Sequence, residues 1–446
     1  MFNNREVRRS NIRIQEVIIL LKIGILGLGT VGSGVVKILE KNAENIKNKV
    51  GTEVRIEKIL VNNLEKERDI EIKRELLTDK VEDIINNPDI DIVVELIGGE
   101  QPAYDYIIRA IENGKSIVTA NKLVIAKYGK RIFRKADEND VQVCYEGSVA
   151  GGLPIIRPLQ NSLAANRIEK IYGILNGTTN YILTDMSKEK KDFAESLKNA
   201  QELGFAEADP SSDIDGLDAA YKITILSSLA FERFVDVREV YVEGIRDIDI
   251  ADIELAHEMG YVIKLLAIAK NSPEGLDVRV HPAFVPEDHP LAMINGTYNC
   301  VYLHGDAVGQ VMSTARGAGQ MPTGSAVTAD IIQVAKDINH NQREVQRMDS
   351  FLESNVIKID EIENSFYLRF EVKDEPGVMA HIAKIFGDNN VSLASVLQKQ
   401  KDNPVVPLVF ITHSVKEKDL NKSLAQIKAL DDVIEVKSVI RVENNI

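Results

Sequence analysis

The stretch Ile23-Gly24-Ile25-Leu26-Gly27-Leu28-Gly29-Thr30-Val31-Gly32-Ser33-Gly34 decides the fold of this chain. Its first four residues form an apolar run suited to a buried parallel strand, and Val35, Val36, Ile38 and Leu39 beyond it keep helical spacing. Between the two, Gly27 permits a tight turn, Gly29 lets backbone amides approach a pyrophosphate, and Gly32 allows the helix to pack closely on the strand. A lone GxGxxG pattern is weak evidence. Set between a strand and a helix, it predicts a dinucleotide site with the phosphates on the helix N-terminus.

The alternation continues outward. Residues 54–61 read as a second strand, 90–97 as a third that ends in Gly98-Gly99, and 102–113 as a helix stopped by Gly114. A strand at 116–119, a helix at 123–138 and a strand at 141–145 follow. Strands alternating with helices predict an α/β fold, a Rossmann doubly wound parallel sheet whose ligands lie beyond the strand C-termini. Asn121-Lys122 falls at such an end, where a cation suits the helix dipole poorly and a ligand carboxylate or cofactor well. An NAD-selective site would carry Asp or Glu at the end of the second strand. Here Asn62-Asn63 stand there with Lys66 and Arg68 nearby, which leans toward NADP, although both cations also read as ordinary loop charges.

At 446 residues the chain is too long for one core. A net charge of −14 leaves no basic excess with which to track nucleic acid. Cys144 and Cys300 are far apart in apolar settings, which opposes a disulfide framework or metal cluster. Arg5, Arg8, Arg9 and Arg13 precede VIILLKIGIL, a resemblance to a secretory signal. Lys22 interrupts that run, no small-residue cleavage site follows, and removal would take the first strand. The expectation is a cytoplasmic protein with a loose extension over residues 1–22 and no bilayer span.

Chemistry concentrates in GFAEADPSSDIDGLDAAYK at 204–222, with Glu207, Asp209, Asp213, Asp215 and Asp218 ahead of the apolar run KITILSSLAF. Asp213 is expected as a helix N-cap, and Asp218 and Lys222, four apart, share one helix face. An i,i+4 ion pair is ordinarily a solvated surface feature. Beside Ile223, Ile225 and Leu226, however, the Lys222 ammonium is expected to be half-desolvated, the condition for a general acid-base lysine.

Upstream, Glu146-Gly147-Ser148-Val149-Ala150-Gly151-Gly152-Leu153-Pro154 is a small-residue loop that either holds a monovalent cation through carbonyls or simply turns the chain into a helix at 155–165. From 168 to about 317 strand candidates at 168–175, 238–245, 261–269, 276–285 and 299–305 mix with helices at 193–203 and 250–259. That pattern suggests an α+β substrate and dimerisation domain over 154–319, in which Thr178 and Thr179 either contact substrate or turn the chain. A Gly-rich loop at 315–325 precedes a helix at 326–338 that returns to the nucleotide domain, assigned as 23–153 plus 320–340. After a linker at 341–364, residues 365–446 read as a separate βαββαβ unit, ferredoxin-like, able to serve as a structural add-on or to bind a small amino acid.

The motifs GLGTVG at 27–32, TANK at 119–122, EGSVAGGLPI at 146–155, ILNGTTNYI at 174–182, the 204–222 stretch and ARGAGQMPTGSAV at 315–327 occur in one order. In that order they resemble monofunctional homoserine dehydrogenases with a C-terminal ACT domain, whose signature DEPGVMAHIAKIFGDNNVSLASV at 374–396 resembles. The resemblance implies NAD(P)-dependent interconversion of L-homoserine and L-aspartate 4-semialdehyde. It implies Lys222 as proton donor with Asp218 as its partner, and Glu207, Asp213, Lys122 and Thr178 around the substrate. It implies cofactor contacts at Gly27, Gly29, Thr30, Val31, Gly32, Lys122, Gly204 and Gly324, and a sodium site at Glu146, Val149, Gly151 and Leu153, mostly through carbonyls. Threonine as an ACT effector and a homodimer or homotetramer belong to the same expectation. Two other readings are a non-catalytic redox and amino-acid sensor, opposed by the Asp218–Lys222 pair, and an aspartate-semialdehyde dehydrogenase. The latter needs a cysteine nucleophile, and Cys144 is ill placed in an apolar strand.

Overall fold

The computed structural model describes residues 20–342, 351–398, 404–444 and 446. Most of the expected extension 1–22, and residues 343–350 of the expected linker, lie outside these.

The fingerprint folds as expected, with β1 at Leu21–Leu26 and α1 at Thr30–Lys41. A short α2, Ala43–Val50, leads to β2 at Val54–Leu60, β3 at Leu77–Thr78, α3 at Glu82–Ile85 and β4 at Ile92–Glu95. Then come α4 (Ala103–Glu112), β5 (Ser116–Thr119), α5 (Lys122–Glu138) and β6 (Val143–Cys144). The strands form a parallel six-stranded sheet in the order β3-β2-β1-β4-β5-β6. Strand order therefore reverses between β1 and β4, which opens the ligand crevice at their C-terminal ends. Gly27, at φ +102°, turns the chain there, and a Cβ on it would stand 2.8 Å from the Leu96 carbonyl oxygen. Lys22, which broke the apolar run, leaves β1 half-buried to pair with Asp89 at 3.1 Å and Glu57 at 3.3 Å.

The second unit departs further from expectation. The helix expected over 155–165 is shorter, helical over 156–162 and of π type at Pro158–Ser162. After β7 (Ile168–Ile174) the segment read as a turn begins a helix, α6 at Gly177–Glu189, because the Asn176 side chain caps it by accepting from the Thr179 N–H at 2.8 Å. There follow α7 (Phe193–Glu202), α8 (Ser211–Ile214) and the fully apolar-faced α9 (Leu217–Phe231). Asp213 lies inside α8, and the residue at the N-cap of α9 is Gly216, so the expected Asp213 cap is not formed. The strand expected at 238–245 reduces to β9 (Tyr241–Val242), preceded by β8 (Arg233–Phe234). Next are α10 (Ile250–Glu258), the long hairpin β10 (Tyr261–Ser272) and β11 (Gly275–Pro286), then β12 (Tyr298–Gly305) and β13 (Gly309–Arg316).

The helix expected from 326 starts six residues earlier, as α11 at Gln320–Asn339. Pro322 is tolerated because it stands in the first turn, where no intrahelical donor is lost. This helix lies across α1 with glycine on both sides of the contact. A Cβ on Gly34 would be 2.0 Å from the Gln320 carbonyl oxygen, and one on Gly324 would be 3.0 Å from the Gly34 carbonyl carbon.

The described part of the expected linker does not hang free. Its β14 (Leu352–Glu353) pairs with β8, and Val356 bridges Leu276. The C-terminal unit, β15 (Glu363–Lys373), α12 (Val378–Asp388), β16 (Leu393–Gln398), β17 (Val405–Thr412), β18 (Val415–Lys416), α13 (Glu417–Ile427) and β19 (Val433–Val442), has a core of its own around Phe370, Phe386 and Phe410. Its sheet is not separate. Strand β19 pairs with β11 through Ala283–Arg441 and Phe284–Val442, making one eleven-stranded sheet.

Adding one methyl group at Gly34 should force α1 and α11 apart, because the obstructing atoms are backbone. Gly34→Ala is expected to cost about 1–3 kcal/mol of stability. By contrast Gly29→Ala, which meets nothing within 4 Å, should leave the melting midpoint in place. Thermal unfolding followed by circular dichroism measures both; equal midpoints would show that the helix crossing is not where it is described.

Candidate active site

The N-terminus of α1 is built to receive a phosphate. Gly29, its N-cap residue, is exposed with no side-chain cap, and no acidic residue occupies the first turn with Thr30 and Val31. The peptide N–H groups there are left for an anion. Gly32 cannot be larger, since its Cβ would be 2.3 Å from the Gly27 carbonyl oxygen. Gly324 is buried against Gly34 and Val35, so its place is in the helix crossing behind this terminus. At the end of β2, Asn62 and Asn63 are exposed, and Arg68 is fixed over the loop by donating to the carbonyls of Asn63 at 2.6 Å and Lys66 at 2.7 Å.

Beyond the sheet, α5 and α9 bring three charges together that are far apart in the chain. Lys122, first residue of α5, places its ammonium 2.5 Å from Asp218 Oδ1. Lys222 places its own 2.6 Å from Asp218 Oδ2 and donates to the Leu175 carbonyl at 2.6 Å. Asp218 and Lys222 are buried, while the Lys122 side chain is 40% exposed. A lysine at the positive end of a helix is ordinarily disfavoured; here the Asp218 carboxylate offsets that field.

The environment drives the groups apart. Burial opposes ionisation of Asp218, but the charges of Lys222 and Lys122 and the hydrogen bonds from both outweigh it and hold the carboxyl well below its usual range. Burial pushes the Lys222 ammonium below its ordinary value, and the Lys122 charge adds to this, against the pull of Asp218. For Lys122 burial also acts downward, but the Asp218 charge and hydrogen bond prevail and raise it. Of two lysines on one carboxylate, Lys222 is the one prepared to give up a proton.

Asn176 was not singled out from sequence as a site residue, yet it ties the acids together. Its Nδ2 donates to Asp218 Oδ2 at 2.8 Å and to Asp213 Oδ1 at 2.7 Å. Asn299 holds the same corner, donating to the Leu175 carbonyl at 2.8 Å. The signal for Asn176 was an asparagine between a strand and GTTN, an N-cap position. Thr178 gives its hydroxyl hydrogen to the Phe205 carbonyl at 2.8 Å and so anchors the turn that contains Gly204, at φ +73°. Glu207 is exposed on that turn and its charge reaches Lys122. The remaining acids of the stretch are occupied elsewhere, Asp209 by Ser211 and Asp215 by Arg246.

The 146–153 loop is buried, and it turns through Ala150 and Gly151 at φ +53° and +54°. The Glu146 carboxylate accepts from the N–H groups of Ile155, Ile156 and Arg157 at 2.5, 2.8 and 2.9 Å. Its side chain is therefore committed to the first N–H groups of the following helical turn, and only main-chain carbonyls of Glu146, Val149, Gly151 and Leu153 are left for a cation. Among the described residues no group of three or more His, Cys, Asp or Glu side chains could hold a metal ion. Burial pushes the Cys300 thiol up to about 12, and Cys144 is a half-buried residue of β6, so neither stands as a nucleophile at this site.

This constellation carries the motifs of one family from end to end. Residues 27–146 match the model "Homoserine dehydrogenase, NAD binding domain", residues 154–332 the model "Homoserine dehydrogenase", and residues 366–432 the ACT domain. The homoserine dehydrogenase of Bacillus subtilis (strain 168) is 42% identical, covering 95% of this chain and 99% of its own length. The chain belongs to the homoserine dehydrogenase family. The homoserine dehydrogenase of Synechocystis sp. is 46% identical over 95% of this chain and 99% of its own. The solved homoserine dehydrogenase of Thiobacillus denitrificans, 41% identical, superposes with a TM-score of 0.90 over 95% of this chain and 98% of that one. A hyperthermophilic archaeal homoserine dehydrogenase in complex with NADPH, 26% identical, gives 0.61 over 73% of this chain and 100% of that one. This homoserine dehydrogenase is an NAD(P)-dependent oxidoreductase with a Rossmann sheet, a second sheet-bearing unit and a C-terminal ACT domain.

The bridging role of Asn176 separates from its capping role by substitution. Asn176→Ser keeps a cap acceptor but is too short to join Asp213 to Asp218, so turnover should fall steeply at little cost in stability. Asn176→Ala should lose turnover and also about 1 kcal/mol of stability with the cap. Paired activity and thermal-melt measurements check this; full turnover in both variants would remove Asn176 from the site.

Proposed function

We propose that this enzyme interconverts L-homoserine and L-aspartate 4-semialdehyde with Lys222 as the proton donor and acceptor at the substrate oxygen. The observation that carries this reading is the buried Asp218 carboxylate, with Lys222 on one oxygen and Lys122 on the other. A bound nicotinamide cofactor supplies or accepts the hydride; the uncapped α1 terminus and the open face of Gly29 fit its pyrophosphate. In the reducing direction Lys222 donates its proton to the oxygen that develops negative charge. Its lowered affinity for that proton eases the transfer. Asp218 orients the ammonium and holds Lys122 close, where the exposed part of Lys122 is free for substrate or cofactor. Glu207 and Asp213 hold the substrate ammonium from the opposite side, with Thr178 keeping the Gly204–Glu207 turn in place.

NADP is the proposed cofactor of preference, supported by the missing acid at the end of β2 and the fixed Arg68 guanidinium. A sodium ion at the carbonyls of Glu146, Val149, Gly151 and Leu153 is proposed as well, supported by the two left-handed residues that turn this buried loop. The enzyme is proposed to serve threonine, methionine and isoleucine synthesis in the cytoplasm, with threonine acting through the ACT domain. It is proposed to work as a homodimer or homotetramer, in support of which β13 ends the large sheet with Met312 exposed. The domain limits proposed are 23–153 plus 320–340, 154–319 and 365–446.

Lys222→Ala should lower the rate of homoserine oxidation by roughly 10²–10⁴ while cofactor affinity stays within a few-fold. Glu207→Ala should chiefly raise the KM for homoserine. A spectrophotometric assay with homoserine and either NADP or NAD, with and without threonine, reads all of these. Undiminished turnover in Lys222→Ala would overturn the assignment, and equal rates with both cofactors would overturn the NADP preference.

A further inference from the structure

A cavity of about 470 Å³ lies between the C-terminal half of α6, α10, the start of β10 and the segment that leads into β12. None of the residues given a catalytic or cofactor role above lines it. At its floor is Lys264, a β10 residue only 3% exposed. Its ammonium donates to the Ile294 carbonyl at 2.5 Å, to Asn295 Oδ1 at 3.1 Å and to Asn180 Oδ1 at 3.3 Å. All three acceptors are uncharged. An ammonium held out of water without a counter-charge is costly, and a site that keeps one is short of an anion.

The rest of the lining deepens the imbalance. Lys188 of α6 opens onto the same cavity with a second positive charge. The carboxylate there, Glu287, faces His257 Nδ1 at 2.8 Å, and His257 Nε2 meets Ser187 Oγ at 2.8 Å. Burial, with the like charge of Lys188 added, pushes Lys264 down to about 8. The walls around these cations are aliphatic, from Leu183, Ile253 and Val262. Asn295, half-buried at the mouth, presents a neutral carboxamide oxygen to Lys264 where a carboxylate oxygen would satisfy the charge.

We infer that this cavity is a binding site for a small aliphatic carboxylate, whose charged end takes the place of the Asn295 carboxamide between Lys264 and Lys188 and whose hydrocarbon lies on Leu183, Ile253 and Val262. The site is joined to the catalytic one by a single helix. Lys264 grips Asn180, which also donates to the carbonyls of Gly296 at 2.9 Å and Tyr298 at 3.2 Å. One turn before it, at the N-cap of α6, stands Asn176, which holds Asp213 and Asp218.

The test uses the full-length enzyme and isothermal titration with sodium 3-methylbutanoate, against 3-methylbutan-1-ol as the uncharged equivalent in shape. The wild type should bind the carboxylate saturably and the alcohol at least ~tenfold more weakly, as expected for a charge-assisted contact. Lys264→Met should abolish carboxylate binding. Lys188→Ala, at the rim and folding independently of that buried change, should weaken it several-fold. Lys122→Ala, which disturbs only the catalytic end, should leave it unchanged, separating this cavity from the substrate site. No saturable binding, equal affinity for the alcohol, or binding that survives Lys188→Ala and folded Lys264→Met at full strength would each overturn the inference.

Discussion

One carboxylate between two ammoniums organises this enzyme. Lys122 comes from α5 of the nucleotide unit, Lys222 and Asp218 from α9 of the second unit, and their ion pairs at 2.5 and 2.6 Å are made where the two units face one another. In water such a triad would be worth little. Here Asp218 and Lys222 are buried, so breaking the contact between them leaves an uncompensated charge in a dry place, and that interaction becomes obligatory. The apolar run of α9 supplies that dryness, and Asn176 and the Leu175 carbonyl supply the neutral partners.

The second large feature is a sheet that runs through two units. Pairing of β11 with β19 joins the catalytic sheet to the ACT sheet, and charged residues lock the seam. Arg369 reaches Asp252 of α10 at 2.7 Å, and Arg441 reaches Glu243 at 2.7 Å as well as Glu417. Glu243 precedes Gly244, whose missing side chain lets the backbone lie against Ile214 and Asp215, beside the acids of the site. The ACT domain is thus in mechanical contact with the end of α8, the helix that carries Asp213.

Much of this was legible in the residues, for physical reasons. The glycine fingerprint between a strand and a helix and the regular alternation after it fix the nucleotide sheet, and Asp218 and Lys222 at i,i+4 must share a face. What was hidden depended on partners distant in sequence. Gly177, Thr178, Thr179 and Asn180 have weak helix propensity, so their sequence suits substrate contact or a turn equally, and the helix α6 follows from the Asn176 cap and buried packing. Gly319, Gly324 and Pro322 look like loop residues; Pro322 fits the first turn of α11, and the Gly34 contact explains why Gly324 lies within it. Asp213 looked like a cap and is instead a member of the acid pair held by Asn176. Neither the Lys122–Asp218 contact nor the β11–β19 pairing leaves a local trace, because each closes a long loop.

If Asp218 is what keeps Lys222 charged, removing its negative charge must make that lysine lose its proton more readily. The direct measurement is the pH profile of kcat for semialdehyde reduction in Asp218→Asn, beside the wild type. The carboxylate raises the proton affinity of Lys222, so its loss lowers that affinity further, and the alkaline limb, where the donor is exhausted, should move to lower pH. A limb that stays in place, or moves to higher pH, would contradict the shared carboxylate as the group that governs the proposed proton donor.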